Sequence, residues 1–486
     1  MQSKSSKIKI IHIVIIVLGI IFLNMSIFHD NIWFDESYSV GIANHSFIDI
    51  WNIGGHDVHP VLYYWILHII SIFTNSSIMA YRIFSGFVIS ITGILGYTHI
   101  RKDFGEKAGA IFSFLIFFSP ITGMFANEIR MYALVMFLIT VLSIYAFRLA
   151  KESKLVYWII FGLSSLCSIY THYYGLMAAG IINLILLFYF IKNQKKKSYI
   201  IQIIIGVIQA LLYLPWMIYF SSQLNTMASN GFWISITFPD TLIEILGFQF
   251  AGNLNIYIGL AISILIYGIS IYIFKKTGGV KNNIPVVIIL SVWGLVIIAA
   301  LIMSLILTQA ILYYRYLFAL TGVFFLALSI LLAKGKTIFT IIVCIIIFIA
   351  GCVNNIQMII ENYDSTNDNP FEYIESNMEE GDIIAYSNIG SGSVLAVKFP
   401  NNKQYFYNGA DWGVEEAYKA FGPQMETWVT EDFIENCKGR VWVEGKSFYK
   451  DHFDNENYEL ILHESFETAY EDYYYDLYLV EYVGED

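Results

Sequence analysis

The chain has 486 residues, 57% of them hydrophobic and only 14% charged, with a mean hydropathy of +0.60 and a formal net charge of −11. Soluble domains run at about 45–50% apolar and about 25% charged, so the composition excludes one and describes a polytopic membrane protein. The charge also divides the chain: residues 361–486 hold 28 Asp+Glu against 7 Lys+Arg, whereas residues 1–360 hold 11 against 21. A basic membrane body therefore carries an acidic, soluble segment, and no nucleic-acid partner is expected.

In chain order, Lys4, Lys7 and Lys9 precede an apolar run from about Ile8 to Phe28. The run has no small-residue cleavage pattern, which predicts a retained first span rather than a removed leader. Just past it, "NIWFDESYSV" (31–40) sets Asp35 beside Glu36 among aromatics. Either the two acids mark where the chain leaves the membrane, or they face a reaction. "VLYYWILHIISIF" (61–73) is too short for a span and would invert every later loop if it crossed. It reads as a helix at the outer interface, where Tyr and Trp are at home, so the first outer loop covers about 29–76.

Apolar runs of spanning length follow at roughly 77–99, 108–124, 131–147, 155–171, 175–191, 199–220, 254–274, 284–307, 312–333 and 337–358. With the first run they make about eleven spans. A second outer loop, 221–253, is polar with interleaved aromatics. From 361 onward, helix-like stretches ("PFEYIESNMEE", "GVEEAYKAF") mix with strand-like ones ("DIIAYS", "RVWVEG", "YELILHESF", "YYYDLYLVEYV"). That pattern predicts a small α/β domain over 361–486 with a parallel or mixed sheet. It contains no P-loop, nucleophile elbow or dinucleotide fingerprint. The four cysteines, Cys167, Cys344, Cys352 and Cys437, are scattered and define neither a disulfide framework nor a zinc spacing.

Orientation follows from the basic residues. Clusters fall at every second junction: Lys4/Lys7/Lys9, Arg101/Lys102/Lys107, Arg148/Lys151/Lys154, Lys192/Lys195/Lys196/Lys197, Lys275/Lys276/Lys281 and Lys334/Lys336. Cytoplasmic loops carry the excess of Lys and Arg, so these junctions are cytoplasmic, as is the amino terminus. The acidic domain is then extracytoplasmic, and the protein is a multi-pass plasma-membrane protein.

Three arginines of the membrane body remain outside those clusters: Arg82, Arg130 and Arg315, each at the outer end of a span. Any one of them could be snorkelling or paired with a helix acid. Three together, against the positive-inside bias, suit a phosphate, which a guanidinium fork holds through two bonds. The outer side also gathers Asp30, Asp35, Glu36, Asp49, Asp57, Glu128, Asp240 and Glu244, together with His56, His59, His172, Tyr173 and Tyr174. His59 and His172 are either structural hydrogen-bonders or site residues. His56, Asp57 and His59 leave a divalent metal as an option. The collection suits a lipid-borne phosphate substrate reached from outside.

In their order and sidedness these motifs resemble the C-type polyprenyl-phosphate-sugar glycosyltransferases, which include protein O-mannosyltransferases and lipid A aminoarabinose transferases. The residues that carry the likeness are the "W-x-D-E" acid pair, "HPVLYYW", "NEIRMYAL", "THYYG" and "YYRYLFAL", all within about 1–360. The resemblance implies the C-type glycosyltransferase fold and a sugar donor on polyprenyl phosphate presented from the outer leaflet. It puts the acceptor-activating acid at Asp35, with Glu36 beside it, and donor-phosphate contacts at Arg82, Arg130 and Arg315. Substrate contacts are then expected from His59, Tyr63, Glu128, Tyr132, His172, Tyr173 and Tyr314. The sequence departs from the family at Val61, where a second proline is usual. The chemistry is coherent without the name. A phosphate is already a good leaving group, so one base for the acceptor hydroxyl and cations for the departing phosphate suffice. A single displacement would invert the anomeric centre. The rival readings are a lipid-linked-sugar flippase and a structural partner of an envelope polysaccharide complex. A transporter should place charges or broken helices near the midplane, whereas these charges sit at outer span ends.

Overall fold

The computed structural model describes residues 2–57, 59–230, 234–408 and 415–484. Residues 231–233 of the second outer loop lie outside the described residues, as do Gly413 and Val414 at the start of "GVEEAYKAF". The chain forms two compact units: Met1–Phe28, Val58–Tyr63 and Arg82–Met358 make one, and His29–Asp57, Tyr64–Tyr81 and Ile359–Asp486 make the other.

The first unit is helical. Among the described residues, eight helices are long and apolar enough to cross a membrane: Ile78–Phe104, Tyr132–Lys151, Tyr173–Lys192, Lys196–Asn225, Ile256–Lys276, Ile284–Leu307, Tyr314–Lys334 and Thr337–Asn362. A ninth results if Glu106–Phe118 and Pro120–Ala126, bent by 57°, count as one span. The helix Gln2–Leu23 and the shorter apolar helix Leu155–Ile169 accompany them. Each apolar run of the sequence is thus a helix, and the chain is a multi-pass helical membrane protein. "VLYYWILHIISIF" forms the 13-residue helix Leu62–Thr74.

Local chemistry explains the breaks. Ser119, the residue before Pro120, is extended at φ −73°, ψ 138°, as the proline ring demands of its predecessor. Pro120 then starts the next helix at a position that needs no N–H. The span Tyr314–Lys334 is 89% buried within the protein and forms the centre of its bundle, whereas Lys196–Asn225 is 11% buried and turns its aliphatic side chains outward. That second helix runs on to Asn230, ten residues beyond the expected end at 220, despite Pro215 inside it. Asp240–Ala251 is helical as well, so much of the expected second outer loop is helix.

The second unit holds a six-stranded mixed sheet in the order β3-β2-β1-β4-β6-β5. The strands are β1 (Ile383–Tyr386), β2 (Gln404–Tyr407), β3 (Met425–Trp428), β4 (Arg440–Glu444), β5 (Tyr458–Glu467) and β6 (Tyr474–Tyr482). β1 lies parallel to both β2 and β4, β3 runs parallel to β2, and β6 pairs antiparallel with β4 and β5. β1 is buried along its whole length, which is why it reads "IIAY" rather than alternating. Ile389–Lys398 crosses from β1 to β2, its first turn capped by the Asn388 side chain, which accepts the Gly390 N–H at 2.9 Å.

From the early part of the chain this unit takes the helix Phe34–Ala43, which packs on Ile389–Lys398 and on the turn Lys419–Phe421. The approach is close: a Cβ on Gly41 would lie 2.5 Å from the Ala420 carbonyl oxygen.

Candidate functional site

In the membrane unit the short turn between Pro120–Ala126 and Tyr132–Lys151 carries Asn127, Glu128 and Arg130, all buried. Arg82, with no exposed surface, lies against this turn and donates to the Asn127 carbonyl. Ser85 Oγ donates to the Glu128 carbonyl at 2.6 Å. The backbone that presents Glu128 and Arg130 is thus held from the Ile78–Leu95 helix. Arg315, at the start of the 3-10 turn Tyr314–Leu320, donates from Nη2 to Glu128 Oε2 at 2.8 Å. Its guanidinium lies 5.6 Å from the ring centres of both Phe125 and Tyr132. Pairing with an acid, weighed as the plain alternative for these arginines, is realised at Arg315.

Arg130 Nη2 stands 3.5 Å from His59 Nε2. The His59 and His172 rings are 6.1 Å apart, and Tyr132 and Tyr316 come within 5.6 and 5.2 Å of His172. His172 caps the Tyr173–Lys192 helix, its Nδ1 accepting the Tyr174 N–H at 3.0 Å. That bond assigns the ring proton to Nε2. Burial, reinforced by His59 and Arg130, holds His172 well below the ordinary imidazole value, so the ring stays neutral and its free edge is a donor. A cavity of about 310 Å³ opens at this cluster, lined by His59, His172, Tyr174, Tyr316 and Gln223 together with the apolar Met303 and Leu307.

The structure therefore brings together His59, Arg130, Tyr132 and His172, and pairs Glu128 with Arg315. Tyr173 lines the same cavity and donates to Gln223 Oε1, while the Trp216 indole donates to Tyr173 at 3.2 Å. Tyr63 packs 6.3 Å from Phe84 and Tyr314 5.7 Å from Phe248, neither in the cavity wall. Sequence reasoning did not single out Tyr316, although it stands in "YYRY". It could not find Gln223, which belongs to a helix that outlasts its apolar run.

Asp35 and Glu36 belong to the other unit, in the first turn of Phe34–Ala43, where acids suit the helix dipole. They differ in exposure: Glu36 is completely buried and Asp35 only half so. Glu36 Oε2 accepts from the Tyr470 hydroxyl at 3.1 Å. Among the described residues no three His, Cys, Asp or Glu side chains form a group able to hold a metal, His56, Asp57 and His59 included.

No family model matches the sequence, and no curated protein does. The fold has solved counterparts. ArnT from Cupriavidus metallidurans matches in the apo state with a TM-score of 0.61, and bound to undecaprenyl phosphate with 0.60. Both matches are at 9% identity and cover 96% of this chain and 97% of that one. An oligosaccharyltransferase from Archaeoglobus fulgidus aligns at 11% identity over 88% of this chain and 68% of that one, with a TM-score of 0.42, too loose a likeness to carry weight. Agreement over nearly the whole length of both chains, membrane helices and terminal sheet domain included, leaves one architecture: the chain has the C-type glycosyltransferase fold.

Proposed function

We propose that this protein is an integral membrane glycosyltransferase that moves a sugar from a polyprenyl-phosphate donor to a hydroxyl of an extracytoplasmic acceptor. The observation that carries this reading is that Arg315, paired with Glu128, and His172, in line with His59 and Arg130, both approach Tyr132 beside an apolar-walled cavity. Buried guanidinium groups next to neutral donors and apolar wall suit a phosphate whose tail is a lipid. The undecaprenyl phosphate held by ArnT, which shares the fold, supports the same choice of ligand.

In the reaction, Asp35 takes the proton of the acceptor hydroxyl as its oxygen attacks the anomeric carbon. The bond from that carbon to the phosphate oxygen breaks, and polyprenyl phosphate departs with the electron pair. Arg130 and Arg315 hold the departing charge, with Arg82 adding its own from beneath the Asn127 turn. One displacement inverts the anomeric centre. Arg315 exchanges its Glu128 partner for phosphate, or shares it, when the donor enters.

Two variants test the reading separately. Arg130→Ala in nanodiscs should weaken binding of undecaprenyl phosphate, with Lys restoring it only in part because the fork is lost. Asp35→Asn should leave that binding intact and cut transfer by about 10²–10⁴-fold, the usual share of general base catalysis. Full transfer activity in Asp35→Asn would reduce the acid pair to a marker of the span's end.

A further inference from the structure

The tip of the β5–β6 hairpin, residues 468–473, does more than join two strands. Glu471 and Asp472 are both left-handed, at φ 58° and 50°, so two successive non-glycine residues make the tight turn. The tip is fastened from below: the Tyr470 N–H donates to Asn367 Oδ1 at 2.8 Å and the Ala469 N–H to Thr366 Oγ1 at 3.3 Å. Thr468 closes it, its N–H donating to the Tyr473 carbonyl at 2.9 Å.

From this base two hydroxyls reach the helix of the acid pair. The Phe34 N–H, one of the first-turn donors that a helix leaves without an internal partner, donates to Tyr473 Oη at 3.0 Å. Trp33, at the cap position, does not cap the helix with its side chain. Tyr470 Oη donates to Glu36 Oε2 at 3.1 Å. We infer that Tyr470 and Tyr473 are positioning residues for the acid pair, Tyr473 capping the helix that presents it and Tyr470 fixing Glu36 so that Asp35 is the carboxylate turned outward.

The inference rests on the catalytic reading of Asp35 and gives the terminal domain a part in the reaction. Burial pushes the Tyr473 hydroxyl up to about 12, with the Glu471, Asp35 and Glu36 charges adding to it, so it remains neutral. Among the described residues, the charged or titratable groups on elements packed around this helix include Lys398, paired with Asp30, Lys419, and Asp49 and His56 of the helix Phe47–His56; His29 lies beside the Tyr470 ring, and Glu361 accepts from the Glu471 N–H at the hairpin tip.

The test uses full-length protein in membranes of source cells that lack the native copy, which supply donor and acceptor. Tyr470→Phe should lower turnover by about tenfold while binding of undecaprenyl phosphate is unchanged, because a small misplacement of a reacting group slows the chemistry without touching the phosphate contacts. Tyr473→Phe should lower the rate by about tenfold or more, as a small misplacement of a reacting group does, and speed hydrogen exchange at Phe34–Ser37. Asp35→Asn separates the failures. If it retains transfer, the catalytic reading falls and this inference with it. If it loses transfer while both tyrosine variants match the parent in turnover and exchange, the positioning role alone is overturned.

Discussion

Arg315 and Glu128 form a pair whose side chains are only 17% and 11% exposed, so neither charge is well solvated without the other. Glu128 holds the same guanidinium that the proposed phosphate would use, and would compete with that ligand for it. Glu128→Gln keeps a hydrogen-bond acceptor and removes the competing charge. We expect undecaprenyl phosphate to bind more tightly, by up to about tenfold, and the ligand-free protein to unfold more readily because a mostly buried cation loses its counter-charge. Titration in nanodiscs with parallel melting curves checks both; tighter binding without lower stability would mean that Glu128 does not balance Arg315. At this scale the sequence was informative where a charge was out of place. Arg82, Arg130 and Arg315 stood out because every other cation of the membrane body falls in one of the six basic clusters at alternate junctions. Tyr316 and Gln223 carry no charge and break no pattern, so nothing distinguished them from interfacial neighbours.

Among the elements, β4 ends in a residue that a buried sheet rarely tolerates. Glu444 is 3% exposed and accepts from Ser391 Oγ at 2.9 Å in the first turn of Ile389–Lys398. Burial, with the Asp476 charge adding to it against the relief from Ser391, raises this carboxyl from its ordinary 4.5 to about 7. The sign follows from which state holds the proton. Between these values the folded state keeps it and the unfolded state does not, so stability is greatest below about 4.5 and is lost as pH rises through about 7. The loss is of the order of a few kcal/mol. Glu444→Gln keeps the Ser391 bond and removes the ionisation, so the drop in melting temperature from pH 5 to pH 8 should shrink; an unchanged drop would assign the dependence to other carboxyls. β4 itself was legible in "RVWVEG", as were β1, β5 and β6, because each is a clear apolar or alternating run bounded by turn residues. β2 and β3 were not. "QYFY" and "METW" are four residues each, too short for a period to declare itself. Likewise nothing local tells a polar stretch to stay helical past Pro215, where Trp216 and Gln223 both bond to Tyr173.

Across the whole molecule, composition and contact divide the chain at different places. Charge turns acidic after residue 360, yet residues 29–57 and 64–81 belong to the compact unit of the terminal sheet. A sequence profile cannot see that, because the contacts join segments over three hundred residues apart, as in the bond from Asn31 to the Asn362 carbonyl at 2.8 Å. Sidedness is different, because the positive-inside bias predicts it from the lysines. If the six basic clusters are cytoplasmic, the terminal domain is extracytoplasmic, and single cysteines at opposite ends of the argument test it. Ser447→Cys lies exposed in the first turn of the helix Lys446–His452 that follows β4, and Gln194→Cys on an exposed turn among Lys192, Lys195, Lys196 and Lys197. The native background is low: Cys437 is buried, its thiol pushed up to about 12, and Cys167, Cys344 and Cys352 lie in apolar helices. In intact cells an impermeant maleimide should label Ser447→Cys at once and Gln194→Cys only after lysis. The reverse pattern would turn the protein over in the membrane and put Arg130, Arg315 and the acid pair on the side where nucleotide sugars are available. A lipid-linked donor would then no longer be needed, and labelling of both positions in intact cells would mean an odd number of the helices does not cross.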